Sequence, residues 1–268
     1  MYSFFMDLEL IKTVGIAAAY KGQRVLLSHY GGEKSKVDKK GAIDLITEAD
    51  TGSEKRIIET IKKAFPDHTI LSEESGLNKG KADHKWIVDP LDGTTNFAHQ
   101  LGLFSISIAF SLSGDTVIGV VLSPVTGELF TAVKGKGAKL NGRPIKVSNS
   151  QPVSESLLAT GFPYDLIDYF NPLMTRFSKC LKASQGVRRL GSAAMDLCFV
   201  ACGRFDGFWE QNLKPWDTAA GELIAREAGA IITDFSNKPF DIYKNEILAT
   251  NGKIHKEMLS LLELKDLA

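Results

Sequence analysis

The sequence predicts a mixed α+β and α/β protein in two closely packed subdomains, an N-terminal α+β half over residues 1–150 and a C-terminal α/β half over residues 151–268. Three observations carry this. Apolar residues recur at a helical period as far as Phe65 and at a period of two beyond it. From Val153 onward, strand and helix patterns alternate. No polar linker, repeat or low-complexity tract parts the two halves. With 268 residues, 44% of them hydrophobic, the chain can bury a sizeable core.

The first helix is predicted from Asp7 to His29, with Ile11, Val14, Ala18 and Val25 at helical spacing and Gly31-Gly32 ending it. A second runs from Glu48 to Phe65, where Ile57, Ile58, Ile61, Ala64 and Phe65 make one buried face and Pro66-Asp67 stops it. In Ser105–Leu112 the residues Ile106, Ile108, Phe110 and Leu112 share one face of a strand. Ser113-Gly114-Asp115 turns the chain into a strand over Thr116–Leu122. Glu128–Val133, Gly135, Gly137 and the Asn141-Gly142 turn extend an antiparallel meander. The first half is thus expected to be two helices on an antiparallel sheet.

In the second half the predicted order is strand Leu157–Thr160, helix Leu166–Leu181, helix Ala193–Ala201, strand Asp206–Glu210 and helix Trp216–Ala228. Strands Ile231–Asp234 and Ile247–Thr250 and a C-terminal helix complete it. The junction of the halves is where a binding site is expected. Trp86, Trp209, Trp216 and the Met195/Leu197/Phe199 region are assigned to the core.

Composition removes several classes of function. Lys+Arg and Asp+Glu number 32 each, so bulk charge selects neither direct nucleic-acid binding nor an anionic membrane. The longest stretch free of charge, Gly93–Gly114, carries too many polar side chains to cross a bilayer. Cys180, Cys198 and Cys202 have no CxxC spacing and no histidine cluster near them, which disfavours zinc and fits a reducing cytoplasm. The first residues, Met1 to Asp7, lack the basic start and apolar run of a secretory signal.

Four acidic clusters lie at ends of predicted elements: Asp44…Asp50, Glu73-Glu74, Asp89…Asp92 and Asp217. Each has an ordinary reading. Thr47-Glu48-Ala49-Asp50 is a capping pattern, and Glu73-Glu74 is a solvated strand end. Asp217 complements a helix dipole, and Asp92-Gly93 is a tight turn.

Trp86-Ile-Val-Asp89-Pro-Leu-Asp92-Gly-Thr-Thr-Asn-Phe97 resists that treatment. A short apolar strand delivers Asp89, Pro90 fixes the backbone, and Asp92 returns to the same side. Two such charges at ~4 Å repel by about 4 kcal/mol at an effective dielectric near 20. Either a proton stays or a cation enters. With oxygen donors only, the cation is Mg²⁺, with Mn²⁺ as the alternative. Gly93-Thr94-Thr95 then offers backbone N–H groups to a phosphate oxygen. Neither a GxxxxGK[ST] loop nor a GxSxG elbow occurs.

Asp89-Pro-Leu-Asp92-Gly-Thr-Thr-Asn-Phe97, together with Trp216-Asp217-Thr-Ala-Ala-Gly-Glu-Leu-Ile-Ala-Arg-Glu-Ala-Gly229, resembles the paired signatures of the inositol monophosphatase family of Mg²⁺-dependent, lithium-sensitive phosphatases. The likeness extends through Asp44-Leu-Ile-Thr-Glu-Ala-Asp50 and Leu71-Ser-Glu-Glu-Ser75. Leu213-Lys-Pro-Trp-Asp217 and Gly161-Phe-Pro-Tyr164 are similar to its bacterial inositol-1-monophosphatase branch. Ser72 and Ala230 depart from the family pattern, in which glycine is common at both places.

The resemblance implies a layered αβαβα sandwich of the sugar-phosphatase type. It implies that Glu73, Asp89 and the Leu91 carbonyl hold one metal and Asp89, Asp92 and Asp217 a second, in a set of two or three Mg²⁺ ions. Asp50, Glu73 and Thr94 are then catalytic, with Asp50 and Thr94 orienting and deprotonating the attacking water. The Gly93 and Thr94 amides bind phosphate. Asp92, Ala193, Glu210 and Asp217 read the substrate hydroxyls, although a solvated strand end is the ordinary alternative for Glu210. Lys214 either shapes the pocket mouth or is a surface charge, and the Arg188-Arg189 pair either binds phosphate or faces solvent or a partner subunit.

The implied activity is Mg²⁺-dependent hydrolysis of a small phosphate monoester, foremost myo-inositol 1-phosphate. Its rivals are fructose-1,6-bisphosphatase, 3′-phosphoadenosine 5′-phosphate phosphatase and NADP phosphatase. The resemblance also implies a homodimer. A rival of another class is a regulatory protein contacting the transcription machinery.

Overall fold

A computed structural model of the chain describes residues 7–31, 37–40, 44–163, 167 and 170–264, with the backbone alone for 37–40 and 44–47. Helix α1 (Leu8–His29) begins where the Asp7 carboxylate accepts hydrogen bonds from the backbone N–H groups of Glu9 and Leu10, at 3.0 and 3.1 Å. Strands β1 (Val37–Lys40) and β2 (Asp44–Thr47) form an antiparallel hairpin leading into α2 (Glu48–Ala64). The Thr47 capping hydroxyl lies outside the described side chains.

Strands β3 (His68–Ser72), β4 (Gly76–Asn78) and β5 (Lys81–Asp92) follow, then the short helix α3 (Thr94–Ala98). Strands β6 (Ser105–Leu112), β7 (Asp115–Leu122), β8 (Leu129–Val133), β9 (Ala138–Leu140) and β10 (Arg143–Pro144) complete an eight-stranded sheet in the order β10-β9-β8-β7-β6-β5-β3-β4. Its meander from β5 to β10 is antiparallel, as the alternating residues predict. The junction of β3 with β5 is parallel, contrary to an all-antiparallel sheet. The chain hairpins outward into β4 and crosses back, so β5 enters on the far side of β3 and runs in the same direction.

The second half contributes β11 (Leu157–Thr160), α4 (Phe170–Ala183), β12 (Gly186–Arg188), α5 (Ala193–Ala201), β13 (Gly207–Gln211), α6 (Pro215–Glu227), β14 (Ile231–Thr233), β15 (Glu246–Thr250) and α7 (His255–Leu262). The start expected for α4 at Leu166 falls outside the described residues. The five strands order as β12-β11-β13-β15-β14, parallel around β11 and antiparallel around β15.

Three apolar clusters glue five layers into an αβαβα sandwich. Ile11, Leu26, Ile57 and Ile61 of α1 and α2 pack with Trp86, Ile106 and Phe110 on the outer face of the large sheet. On its inner face Ile87, Ala109 and Val121 meet Leu197 and Val200 of α5, Ala220 and Ile224 of α6, and Phe208 of the small sheet. Leu158, Trp209 and Leu248 meet Cys180 of α4 and Met258 of α7 outside the small sheet. Gly119 on β7 lets α6 approach, because a Cβ there would stand 2.7 Å from the Ala220 carbonyl oxygen. Of the three tryptophans, Trp86 and Trp209 are buried and Trp216 is half-buried. Among the described residues no helix is long and apolar enough to cross a membrane.

Candidate functional site

The C-terminal end of β5 carries the densest chemistry. Asp89 pairs with Ser107 and Asp92 with Ser105, so one extra residue bulges out where Pro90 supplies no N–H. The Leu91 N–H donates back to Asp89 Oδ1 at 2.9 Å and closes the arch. Gly93 adopts φ +98° at the entry to α3, and a Cβ there would lie 3.1 Å from the carbonyl oxygens of Gly191 and Leu103. The Thr94 hydroxyl donates to the Leu91 carbonyl at 3.1 Å.

Parallel pairing of β3 with β5 brings Glu73 alongside, its N–H donating to the Val88 carbonyl at 3.2 Å. The Glu73 and Asp89 carboxyls act on each other, each holding the other's proton affinity up through its charge or accepting from it when protonated. Asp50 is buried on α2, and its charge acts on Asp89.

From the second half, the Ser192 hydroxyl donates to Asp92 Oδ2 at 2.5 Å, and the Ala194 N–H donates to the same oxygen at 2.9 Å. The Ser105 hydroxyl joins them at 3.3 Å. Asp217, in the first turn of α6, accepts from the Lys214 N–H at 2.6 Å, and stands where its carboxylate complements the helix dipole. Glu210 lies on β13 with its carboxylate against Gly161, where a Cβ would meet both carboxylate oxygens at 2.1 Å. Asp92, Gly93, Ala193, Glu210 and Asp217 line one cavity of about 100 Å³. Two larger clefts, of 680 and 610 Å³, lie elsewhere and contain none of these residues.

These acids hold protons tightly. Burial, then Asp217 and Glu74, raises Glu73 to about 8. Burial and the Glu73 carboxylate push Asp89 well above the usual carboxylate range. Asp92 reaches only about 6, because its bonds from Ser192 and Ala194 oppose burial. Asp217 reaches about 7 through burial and Asp92, with the Lys214 N–H opposing. Glu210 reaches about 8 through burial and Asp217, with Arg189 opposing.

Buried and half-buried carboxylates that raise one another in this way, opposed among the described residues by Lys214 and Arg189, fit hard divalent ions bound through oxygen. As the side chains stand, no three His, Cys, Asp or Glu residues among those described converge on one ion position.

Lys214 and Arg188 are exposed; Arg189 is exposed too, yet borders the cavity and lies 6.0 Å from the Phe162 ring. Sequence reasoning passed over Ser192, although a serine just before the helical run Ala193–Ala201 is an N-cap signal. It also passed over Asp196, a buried acid on α5 whose Oδ1 has no hydrogen-bond partner. Burial, Glu210 and Asp92 push Asp196 well above the carboxylate range. Its neighbours come from other elements, so no local pattern announces it.

The five layers and the acid-rich end of β5 define a phosphatase of the sugar-phosphatase architecture. Residues 7–265 match the model of the inositol monophosphatase family, and the chain belongs to that family. It is 47% identical to an inositol-1-monophosphatase of Synechocystis sp. over 258 residues, 96% of this chain and 90% of that one. It is 41% identical to the Nus factor SuhB of Escherichia coli strain K12 over 257 residues, 94% of this chain and 96% of the relative. The solved inositol monophosphatase of Anabaena (Nostoc) sp. superposes with a TM-score of 0.87 at 40% identity, covering 96% of each chain.

Proposed function

We propose that the protein hydrolyses a small phosphate monoester, foremost myo-inositol 1-phosphate, with Mg²⁺ as cofactor. The observation that carries this reading is the group of acids with raised proton affinity, the buried Asp89 and Asp92 with the half-buried Glu73 and Asp217, beside a cavity bounded by Gly93 and Glu210. Glu73, Asp89, the Leu91 carbonyl, Asp92 and Asp217 would hold roughly two to three ions. Bound there, Mg²⁺ would supply charge neutralisation and would lower the pKa of a coordinated water.

The remaining work belongs to the chain. The Gly93 and Thr94 amides would bind the phosphate, and Asp50 and Thr94 would orient the attacking water and deprotonate it, with the Asp50 carboxylate as the final acceptor of the proton. Ala193, Glu210, Asp92 and Asp217 read the polyol. Protonated, Glu210 can donate its O–H to a substrate hydroxyl and accept through its carbonyl oxygen; ionised, it can only accept. The family likeness supports a second copy of this chain as partner, and sedimentation as a monomer would remove that part. The three cysteines are free thiols, which suits the cytoplasm we propose.

A phosphate-release panel tests the reading. Myo-inositol 1-phosphate should be turned over with Mg²⁺ and inhibited by Li⁺, and Asp92→Asn should lower kcat by about 10²–10³. Faster turnover of fructose 1,6-bisphosphate, 3′-phosphoadenosine 5′-phosphate or NADP would replace the substrate. Unchanged activity in Asp92→Asn would remove the site.

A second reading rests on the relatives named Nus factor SuhB: a surface of this chain contacts the transcription machinery. Deletion-strain complementation by Asp92→Asn supports that role, and a requirement for Asp92 opposes it.

A further inference from the structure

Helix α2 touches two of the acid-bearing segments through adjacent residues. Asp50, Ser53 and Glu54 fall on one helical face, at i, i+3 and i+4, and all three are buried. The Ser53 hydroxyl donates to the Pro90 carbonyl at 3.0 Å, in the middle of the Asp89–Asp92 arch. α1 packs close behind it, since a Cβ on Gly22 would stand 2.7 Å from Ser53 Oγ. Glu54 Oε1 accepts two hydrogen bonds from Ser75, from the backbone N–H at 3.0 Å and from the hydroxyl at 3.2 Å.

Ser75 closes the three-residue turn Glu73-Glu74-Ser75 that joins β3 to β4. β4 is a three-residue strand at the edge of the large sheet, so among the described residues no further strand supports the turn from outside. The first end of the turn is held by the bond from the Glu73 N–H to the Val88 carbonyl. Its far end is exposed and meets α2 through Glu54. A carboxylate that is only 7% exposed needs partners to stay buried, and two donors converging on one oxygen provide them.

We infer that Glu54 is a positioning residue: by gripping Ser75 it holds the Glu73–Ser75 turn against α2 and thereby sets where the Glu73 carboxylate stands relative to Asp89. The inference rests on the reading of Glu73 as a metal ligand. Reach, not charge, is what the role demands. Glu54→Gln keeps an oxygen at the same distance, whereas Glu54→Asp keeps the charge and withdraws it by roughly 1.5 Å, one bond length.

The experiment is a calorimetric Mg²⁺ titration of the metal-free full chain and its variants, with thermal melts in the absence of metal. Glu54→Gln should bind Mg²⁺ within about threefold of the unmodified protein. Glu54→Asp and Glu54→Ala should bind it about tenfold or more weakly, the usual consequence of losing the support of a ligand. If Glu54→Ala does not fold, the Gln and Asp variants decide.

Mg²⁺ affinity unchanged in Glu54→Asp overturns the inference. So does an order in which Asp binds as the unmodified chain and Gln is weakened, because charge would then be what matters. An unmodified protein that binds no Mg²⁺ instead refutes the metal-ligand reading itself, and that arm stands apart from the variants.

Discussion

The hydroxyl of Ser192 donates to Oδ2 of Asp92 at 2.5 Å, joining residues 100 positions apart in the chain. The same hydroxyl oxygen accepts the Met195 N–H at 3.4 Å and so caps α5. One side chain therefore starts a helix of the second half and anchors a carboxylate of the first.

Ser192→Ala should lower stability by about 2 kcal/mol, combining a lost cap with a lost hydrogen bond to a charged group. It should also raise the Asp92 pKa from about 6, because the Ser192 bond is what chiefly opposes burial there. Urea unfolding and the pH midpoint of Mg²⁺ binding report the two effects. A variant equal to the unmodified protein in both would show that the bond contributes nothing.

The metal-free protein should lose stability as pH rises from 6.5 to 8.5. Glu73 and Glu210, at about 8, and Asp217, at about 7, stand above their unfolded values near 4. Between those limits the folded state binds more protons than the unfolded chain, so their stabilising contribution is complete below pH ~4 and disappears as pH climbs through 7 and 8. His68, lowered to about 4 by burial, and His255, also lowered by burial, act in the opposite direction, but below pH ~6.5. Melting temperatures in a chelator should fall across that window, and saturating Mg²⁺ should flatten the slope. A rise with pH in the chelator would contradict the carboxylate assignments.

Gly161→Ala should displace Glu210, since the new methyl would overlap its carboxylate. The proposed role of Glu210 in reading hydroxyls makes the expected effect a rise in KM for myo-inositol 1-phosphate of about tenfold, worth about 1.4 kcal/mol. Mg²⁺ affinity should change little. Steady-state kinetics beside calorimetry separate the two, and an unchanged KM would remove Glu210 from the pocket's chemistry.

Much of the architecture was legible in short windows. The reading of α5 as Ala193–Ala201 matches residue for residue, and those of β6, β7 and α6 agree to within one residue at each end. These elements have long, regular apolar patterns. By contrast β12 has three residues and β10 two, too few to display a period, and α3 has five. The parallel junction of β3 with β5 was also hidden, because alternation tells which face of a strand is buried and not which strand lies beside it.

The candidate site divides in the same way. Pro90 and Gly93 act on their own neighbours, so the arch that presents Asp89 and Asp92 was readable from the order of residues alone. The grip of Ser192 on Asp92, the hold of Glu54 on Ser75, and the closeness of Gly161 to Glu210 are contacts between remote segments. Backbone constraint is a property of adjacent residues and survives in any local window. Proton affinity and side-chain placement arise from whatever packing brings within a few ångströms, and they come into existence only when the layers close.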